Sequence, residues 1–69
     1  MVEVFKTNVS KVKQAKALVH QLAAVLPACK INFDLTDCDK ILRVEGEHFL
    51  PCKIIELLQR YDVECVVLE

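Results

Sequence analysis

Four cysteines are the residues of this chain best suited to chemistry, because a thiolate can bind a soft metal or form a disulfide. They are Cys29, Cys38, Cys52 and Cys65. None forms the C-x(2–4)-C pair with which one turn of chain holds a metal. An even count allows two disulfides, in three possible pairings. The N-terminus lacks a secretory signal pattern, so we expect free, buried thiols in a reducing cytosol.

No other group of reactive side chains forms a catalytic pattern. The single serine, Ser10, has no histidine at a spacing that would give a nucleophile–base pair. No two carboxylates stand together on an apolar background. The only glycine, Gly46, excludes a glycine-rich phosphate loop. We therefore expect a protein that is not an enzyme.

Hydrophobic periodicity predicts six elements that must position these residues. Strands are predicted over 2–9, 29–36, 41–46 and 63–69, and helices over 10–26 and from Pro51 onward. Ser10 is the predicted N-cap of the first helix and Pro27 ends it. The residues predicted to line the buried helix stripes are Val12, Ala15, Leu18, Val19, Leu22, Val25 and Leu26, then Ile54, Ile55, Leu57, Leu58 and Tyr61. Ile31, Phe33 and Leu35 are predicted to point inward from the second strand.

The order β-α-β-β-α-β predicts an α/β (more narrowly α+β) fold. Two right-handed crossovers with a hairpin between them give a ferredoxin-like sandwich, in which two helices cover one face of a four-stranded antiparallel sheet of order 4-1-3-2. With 69 residues, 54% of them hydrophobic, the chain makes one domain, residues 1–69. It has no apolar run of the ~18 residues that a membrane helix needs. We expect a cytoplasmic protein without membrane contact.

Charge is unevenly distributed along the chain. Residues 1–30 hold five lysines and one acid, whereas residues 31–69 hold nine acids and four basic residues. Neither half is basic enough to bind nucleic acid by charge alone, and the third strand, "ILRVEG", offers no aromatic side chain for base stacking. We expect no nucleic-acid partner, and we expect the two halves to balance each other in the fold.

The segment "FKTNV", residues 5–9, resembles the heavy-metal-associated domain of copper chaperones and metal-pumping ATPases. Bacterial members read F-K-T-N-(I/V)-x-C-x-x-C, followed by a helix pattern and a proline. The residues that fit the helix pattern are Ala15, Leu18, Leu22 and the pair Leu26-Pro27. Tyr61 resembles the tyrosine that such members place beside the metal loop. The resemblance implies the βαββαβ fold and a soft-metal site in the first loop.

This chain departs from the family pattern at both metal ligands, because the two cysteine positions fall on Lys11 and Gln14. A protonated lysine offers no lone pair and glutamine offers only a hard oxygen, so neither suits a soft metal. We expect a degenerate member without cofactor, which serves as a protein-interaction or accessory module. The alternative is weak metal binding through Cys38, with Cys65 as a second candidate ligand, or through a site built across a dimer.

Two further clusters could bind a ligand or could simply be solvent-exposed surface. Cys29, His48 and Cys52 lie toward the opposite end of the predicted sandwich and offer a second, weaker metal candidate. At the start of the first helix, free N–H groups and lysines can attract an anion or an acidic partner; a solvated lysine face is the plain alternative. The residues of this second cluster are Ser10, Lys11, Lys13, Gln14 and Tyr61. His20 is predicted to face solvent.

An apolar patch is predicted on the sheet face that the helices leave uncovered. If Phe5 and Cys65 point inward, alternation turns four apolar residues outward on neighbouring strands. These residues, which we call the open-face patch, are Val2, Val4, Val66 and Leu68. Such a patch beside a sheet edge favours a homodimer or another protein partner. Scattered surface residues are the alternative, and a register shift of one residue would reverse the faces.

Overall fold

A computed structural model describes residues 1–68 and confirms the predicted order of elements. The elements are β1 (Val2–Thr7), α1 (Val12–Val25), β2 (Lys30–Asp34), β3 (Ile41–Glu45), α2 (Pro51–Gln59) and β4 (Cys65–Val67). Each element lies within its predicted span and is shorter, because the flanking residues enter turns. The last residue of the predicted strand 63–69 lies outside the described part. In residues 1–68, no helix is long and apolar enough to cross a bilayer.

The four strands form one antiparallel sheet of order β2-β3-β1-β4, which confirms the predicted ferredoxin-like topology. β1 lies between β3 and β4, and Phe5 stands opposite Leu42 on one side and Val67 on the other. Because side chains alternate between faces, Phe5 and Leu42 point to the same side, where both are fully buried. Both helices pack on this face and leave the other face open.

The core is built almost entirely from aliphatic side chains. Its buried members are Phe5, Val9, Ala15, Leu18, Leu22, Leu42, Val44, Phe49, Ile54, Leu58, Val63 and Cys65. Full burial of one such valine or leucine stabilises the fold by roughly 1.5–3 kcal/mol. Val9, Phe49 and Val63 lie in loops rather than in elements, so the loops at both ends of the sheet are anchored in the core.

The first helix departs from its prediction at both ends. Its N-cap is Lys11, whose side chain makes no capping bond, and not Ser10. Val12 and Val25, predicted to be buried, are 62% and 61% exposed. Val25 lies in the last turn, and Val12 lies at the border of the buried stripe, because it is about 120° around the helix from Leu18. Both residues line surface grooves instead.

The second helix ends earlier than its predicted stripe, at Gln59. The Val63 N–H donates to the Leu58 oxygen at 3.0 Å and the Asp62 N–H to the Gln59 oxygen at 3.1 Å. Asp62 has a left-handed φ of 59°. These features form a Schellman motif, which reverses the chain toward β4. Tyr61 consequently leaves the helix and is exposed, contrary to its predicted place in the buried stripe.

Candidate functional site

Three loops meet at one end of the sandwich, as the predicted topology requires. They are the loop after β1, the turn between β2 and β3, and the loop before β4. Buried Thr7 joins the first two: its N–H donates to the Asp39 oxygen at 3.1 Å and its Oγ1 donates to the Lys40 oxygen at 2.6 Å. The same Oγ1 accepts the Val9 N–H at 3.2 Å. Thr7 thus fixes the path of the first loop relative to the turn that holds Cys38.

The neighbouring Asn8 joins the first loop to the third. Its Oδ1 accepts the Glu64 N–H at 3.1 Å, across 56 positions of sequence. Within "FKTNV", therefore, Phe5 and Val9 fill the core, and Thr7 and Asn8 tie the three loops together. The segment that carries the family resemblance holds the loop scaffold in place, and it does so without any metal ligand.

The first loop itself presents side chains that do not fit a soft metal. Lys11 and Gln14 are exposed where the resemblance places thiolates. Ser10, Lys13 and Tyr61 are exposed as well. None of these five side chains enters a hydrogen bond or an ion pair within residues 1–68. The loop is therefore a solvated, basic surface whose donors remain available to a partner.

Cys38 lies between two aspartates in the β2–β3 turn, and its thiol is exposed. Ligand atoms of Asp37, Cys38 and Asp39 all lie within 4.8 Å of one another. The Asp37 Oδ1 already accepts the Asp39 N–H at 2.9 Å, and the Asp39 Oδ1 lies 3.7 Å from the Lys6 Nζ. The turn thus offers one soft and two hard ligands, with both carboxylates partly engaged. Asp37 and Asp39 were not predicted as ligands from the sequence, although the alternation of acid and thiol in "DCD" could have indicated this cluster.

The other cysteines do not add to this cluster. Cys65 is buried on the core side of β4, and burial raises the pKa of its thiol to about 12. Cys29 packs against Gly46, where an added Cβ would lie 2.5 Å from the Cys29 Sγ. Cys52 is exposed on α2 and, among residues 1–68, forms no ligand group with Cys29 and His48. The expectation of four buried thiols is wrong for Cys38 and Cys52, which lie in a surface turn and on a solvent-facing helix side.

The open-face patch lies where alternation placed it. Val2, Val66 and Leu68 are exposed, Val66 at 57%, whereas Val4 is half-buried. The Leu68 N–H donates to the Val4 oxygen at 2.8 Å. Val66 stands opposite Lys6, so it shares the outward face of β1. Farther across the same face, the surface is polar, and Arg43 pairs with Glu45 at 3.0 Å. The open face is thus apolar toward the β4 edge and charged toward the β2 edge.

The two oppositely charged halves of the sequence are joined by few ion pairs. Within the described residues, Lys6–Asp39 is the one ion pair that links them, and Arg43–Glu45 and Lys53–Glu56 lie within the acidic half. His20 is exposed, as predicted. The two halves interleave in the sheet as expected, since β1 lies between β3 and β4. The lysines of α1 nevertheless form no ion pair within residues 1–68 and remain as a basic surface.

Comparison of the chain with models of known families, with curated proteins and with solved structures finds no match. The ferredoxin-like fold is established by the strand order and register. The likeness to heavy-metal-associated domains rests on "FKTNV" and the helix pattern that follows it.

Proposed function

We propose that this chain is a non-enzymatic protein-interaction module, built on a scaffold like that of heavy-metal-associated domains and lacking their thiolate site. The open-face patch is the observation that carries this proposal. Val66 and Leu68 expose large apolar side chains at the β4 edge, and Val2 exposes another on the neighbouring strand β1. An apolar surface that adjoins a sheet edge marks a contact site for another polypeptide.

The β4 edge makes a second copy of the chain the fitting partner. The N–H of Leu68 points toward β1, so the backbone groups of Cys65 and Val67 point away from the sheet. A twofold axis at this edge would pair two β4 strands antiparallel and join the two open-face patches. Because such an interface is self-complementary, each patch residue contributes to it twice.

Self-association is tested by sedimentation velocity across micromolar concentrations. We expect a dimer whose dissociation constant rises at least about tenfold in Val66→Glu, because a charge replaces apolar contact at two symmetric places. Val4→Glu should act in the same direction. Asn32→Glu is the matched control, since it adds the same charge to the same face at the opposite edge and should leave the dimer intact. A wild type that stays monomeric throughout would contradict self-association.

Weak binding of a soft metal through Cys38 is the second candidate function. The convergence of Asp37, Cys38 and Asp39 within 4.8 Å favours it. A single thiolate with two carboxylates is a poor match for copper(I), which selects sulfur ligands. We therefore rank this function below protein interaction.

Titration of the reduced protein with copper(I) against a competing chelator separates the two functions. We expect wild-type binding to be weak and to disappear in Cys38→Ser. The double variant Lys11→Cys/Gln14→Cys restores the thiolate pair and should bind copper(I) tightly. Tight, thiol-dependent binding by the wild type would contradict the degenerate-site proposal. A double variant that ignores copper(I) would show that the first loop is misaligned with the family pattern.

A further inference from the structure

A second surface, at the opposite edge of the sheet, has features that the open-face patch lacks. A groove of about 520 Å³ runs between α1 and β2. We call it the β2 groove. Its floor is apolar and is formed by side chains that the sequence pattern assigned to the core; all of them except Ala15 remain partly or largely exposed. The apolar residues that line it are Val12, Ala15, Val19, Ile31, Phe33 and Leu35.

The outer edge of β2, beside this groove, has backbone N–H and C=O groups that no other strand of the sheet uses. Gly46 donates its N–H to the Met1 oxygen at 2.9 Å. Val44 and Leu42, two and four positions before it, therefore also direct their backbone groups toward β1. The intervening residues of β3 bond to β2 through its positions 30, 32 and 34. The N–H and C=O groups of Ile31 and Phe33 therefore point outward from the sheet. Within residues 1–68, neither residue forms a backbone bond outside the sheet.

Lysines outnumber acids around this free edge. Asp34 is the acid that lines the groove, and its Oδ1 accepts the Thr36 N–H at 3.2 Å and the Thr36 hydroxyl at 2.6 Å. Lys16 lines the groove on the helix side, Lys13 lies one turn before it, and Lys30 lies on the open face of β2. No acidic residue occurs from Val4 to Phe33. In the described part of the chain, none of these three lysines takes part in an ion pair. The surroundings of the groove thus favour an acidic partner over a basic one.

We propose that the β2 groove binds an extended acidic segment of another protein, which adds to β2 as a fifth strand. Its alternate apolar side chains cover Ile31 and Phe33 on the helix side, and its acidic side chains lie on the open face beside Lys30. Backbone pairing supplies affinity in such strand addition, and the side-chain pockets supply specificity. This site lies at the edge opposite β4, so the proposal does not depend on self-association through the open-face patch.

The test uses a capped nonapeptide of alternating valine and glutamate as the probe, with a valine–lysine peptide as the matched control. Binding is followed by fluorescence anisotropy with the Val66→Glu variant, which isolates the groove from the β4 edge. We expect saturable binding of the glutamate peptide and at least about tenfold weaker binding of the lysine peptide. The protein variant Lys16→Glu/Lys30→Glu should reverse this preference.

N-methylation of the peptide separates strand addition from simple charge attraction. In an added strand, every second peptide amide faces β2 and the others face solvent. Methylation of one alternate set of amides should abolish binding, and methylation of the other set should leave it unchanged. On binding, the Ile31 and Phe33 amides should become protected from hydrogen exchange.

The proposal would be overturned if the glutamate peptide did not bind, if the two methylated sets had equal effects, or if the amide protection mapped to β4. Protection of Ile31 and Phe33 that appears without peptide and rises with protein concentration would also overturn it. That last result would identify a second copy of the chain as the occupant of the groove.

Discussion

Cys65 and Cys38 are identical side chains with opposite surroundings. Cys65 lies among the core residues, where burial favours the neutral thiol and raises its pKa to about 12. Cys38 lies in an exposed turn. Since the thiolate is the reactive form, the two side chains should differ strongly in reactivity.

We expect a thiol reagent such as dithionitrobenzoate to modify Cys38 and Cys52 of the folded protein rapidly and Cys65 only through unfolding. The amplitude of the fast phase should fall in Cys38→Ser and stay unchanged in Cys65→Ala. Rapid reaction at Cys65 in the native state would contradict its burial.

The same burial links stability to alkaline pH. The pKa of the folded-state thiol lies above the ordinary value of 9.0, so the folded protein retains a proton that the unfolded chain releases. The stabilisation is complete below pH 9.0 and is lost as the pH rises from there toward about 12. In urea unfolding, wild type should therefore lose more stability than Cys65→Val over this pH window.

The sequence alone decides those properties of a residue that depend on its side-chain chemistry, but not those that depend on backbone geometry. The unsuitability of Lys11 and Gln14 as soft ligands follows from their side chains. The N-cap could not be predicted from side-chain type. Ser10 is a favourable cap type, but the N-cap of α1 is Lys11, one residue later. Capping depends on φ, ψ and the loop path, which Thr7 and Asn8 set through contacts distant in sequence.

At the scale of elements, one residue after the end of α2 adopts an unfavourable backbone conformation. Asp62 occupies the left-handed region at φ 59°, where the Schellman motif favours glycine. The side chain of an L-residue makes this conformation unfavourable by roughly 1–2 kcal/mol, although aspartate tolerates it better than most.

We expect Asp62→Gly to raise the free energy of unfolding by about 0.5–1 kcal/mol, because glycine adopts this φ without steric cost. Urea denaturation measures the change. Asp62→Asn is the matched control for loss of charge and should change stability little, whereas Asp62→Val should lower it. A decrease in Asp62→Gly would show that the aspartate side chain stabilises the turn.

The order of elements was predictable because each one repeats its apolar residues at its own period. How far the side chains of an edge strand are exposed was not predictable. Ile31 and Phe33 alternate strictly, which predicts an inward face, and they do face inward. They remain partly covered because β2 is an edge strand with no neighbour on its outer side. Edge position is a property of the assembled sheet, so the β2 groove became visible only in the structure.

At the scale of the whole molecule, topology followed from chain connectivity, whereas the distribution of charge did not. Two right-handed crossovers around a hairpin leave few alternatives to the observed strand order. The oppositely charged halves do interleave, because β1 lies between β3 and β4, but Lys6–Asp39 is the one ion pair between them in residues 1–68. Lys13 and Lys16 on α1 instead form a basic side of the molecule.

The strand order β2-β3-β1-β4 also determines how many partners an assembly can hold. A dimer joined at β4 would be an eight-stranded sheet with one β2 edge at each outer end, ~34 Å apart at a strand spacing of ~4.8 Å. Such an assembly would be bivalent. A ligand with two acidic strands on a linker of matching length would gain avidity of about 10²–10⁴ over one with a single strand. The order of four strands would then set the valence of the complex.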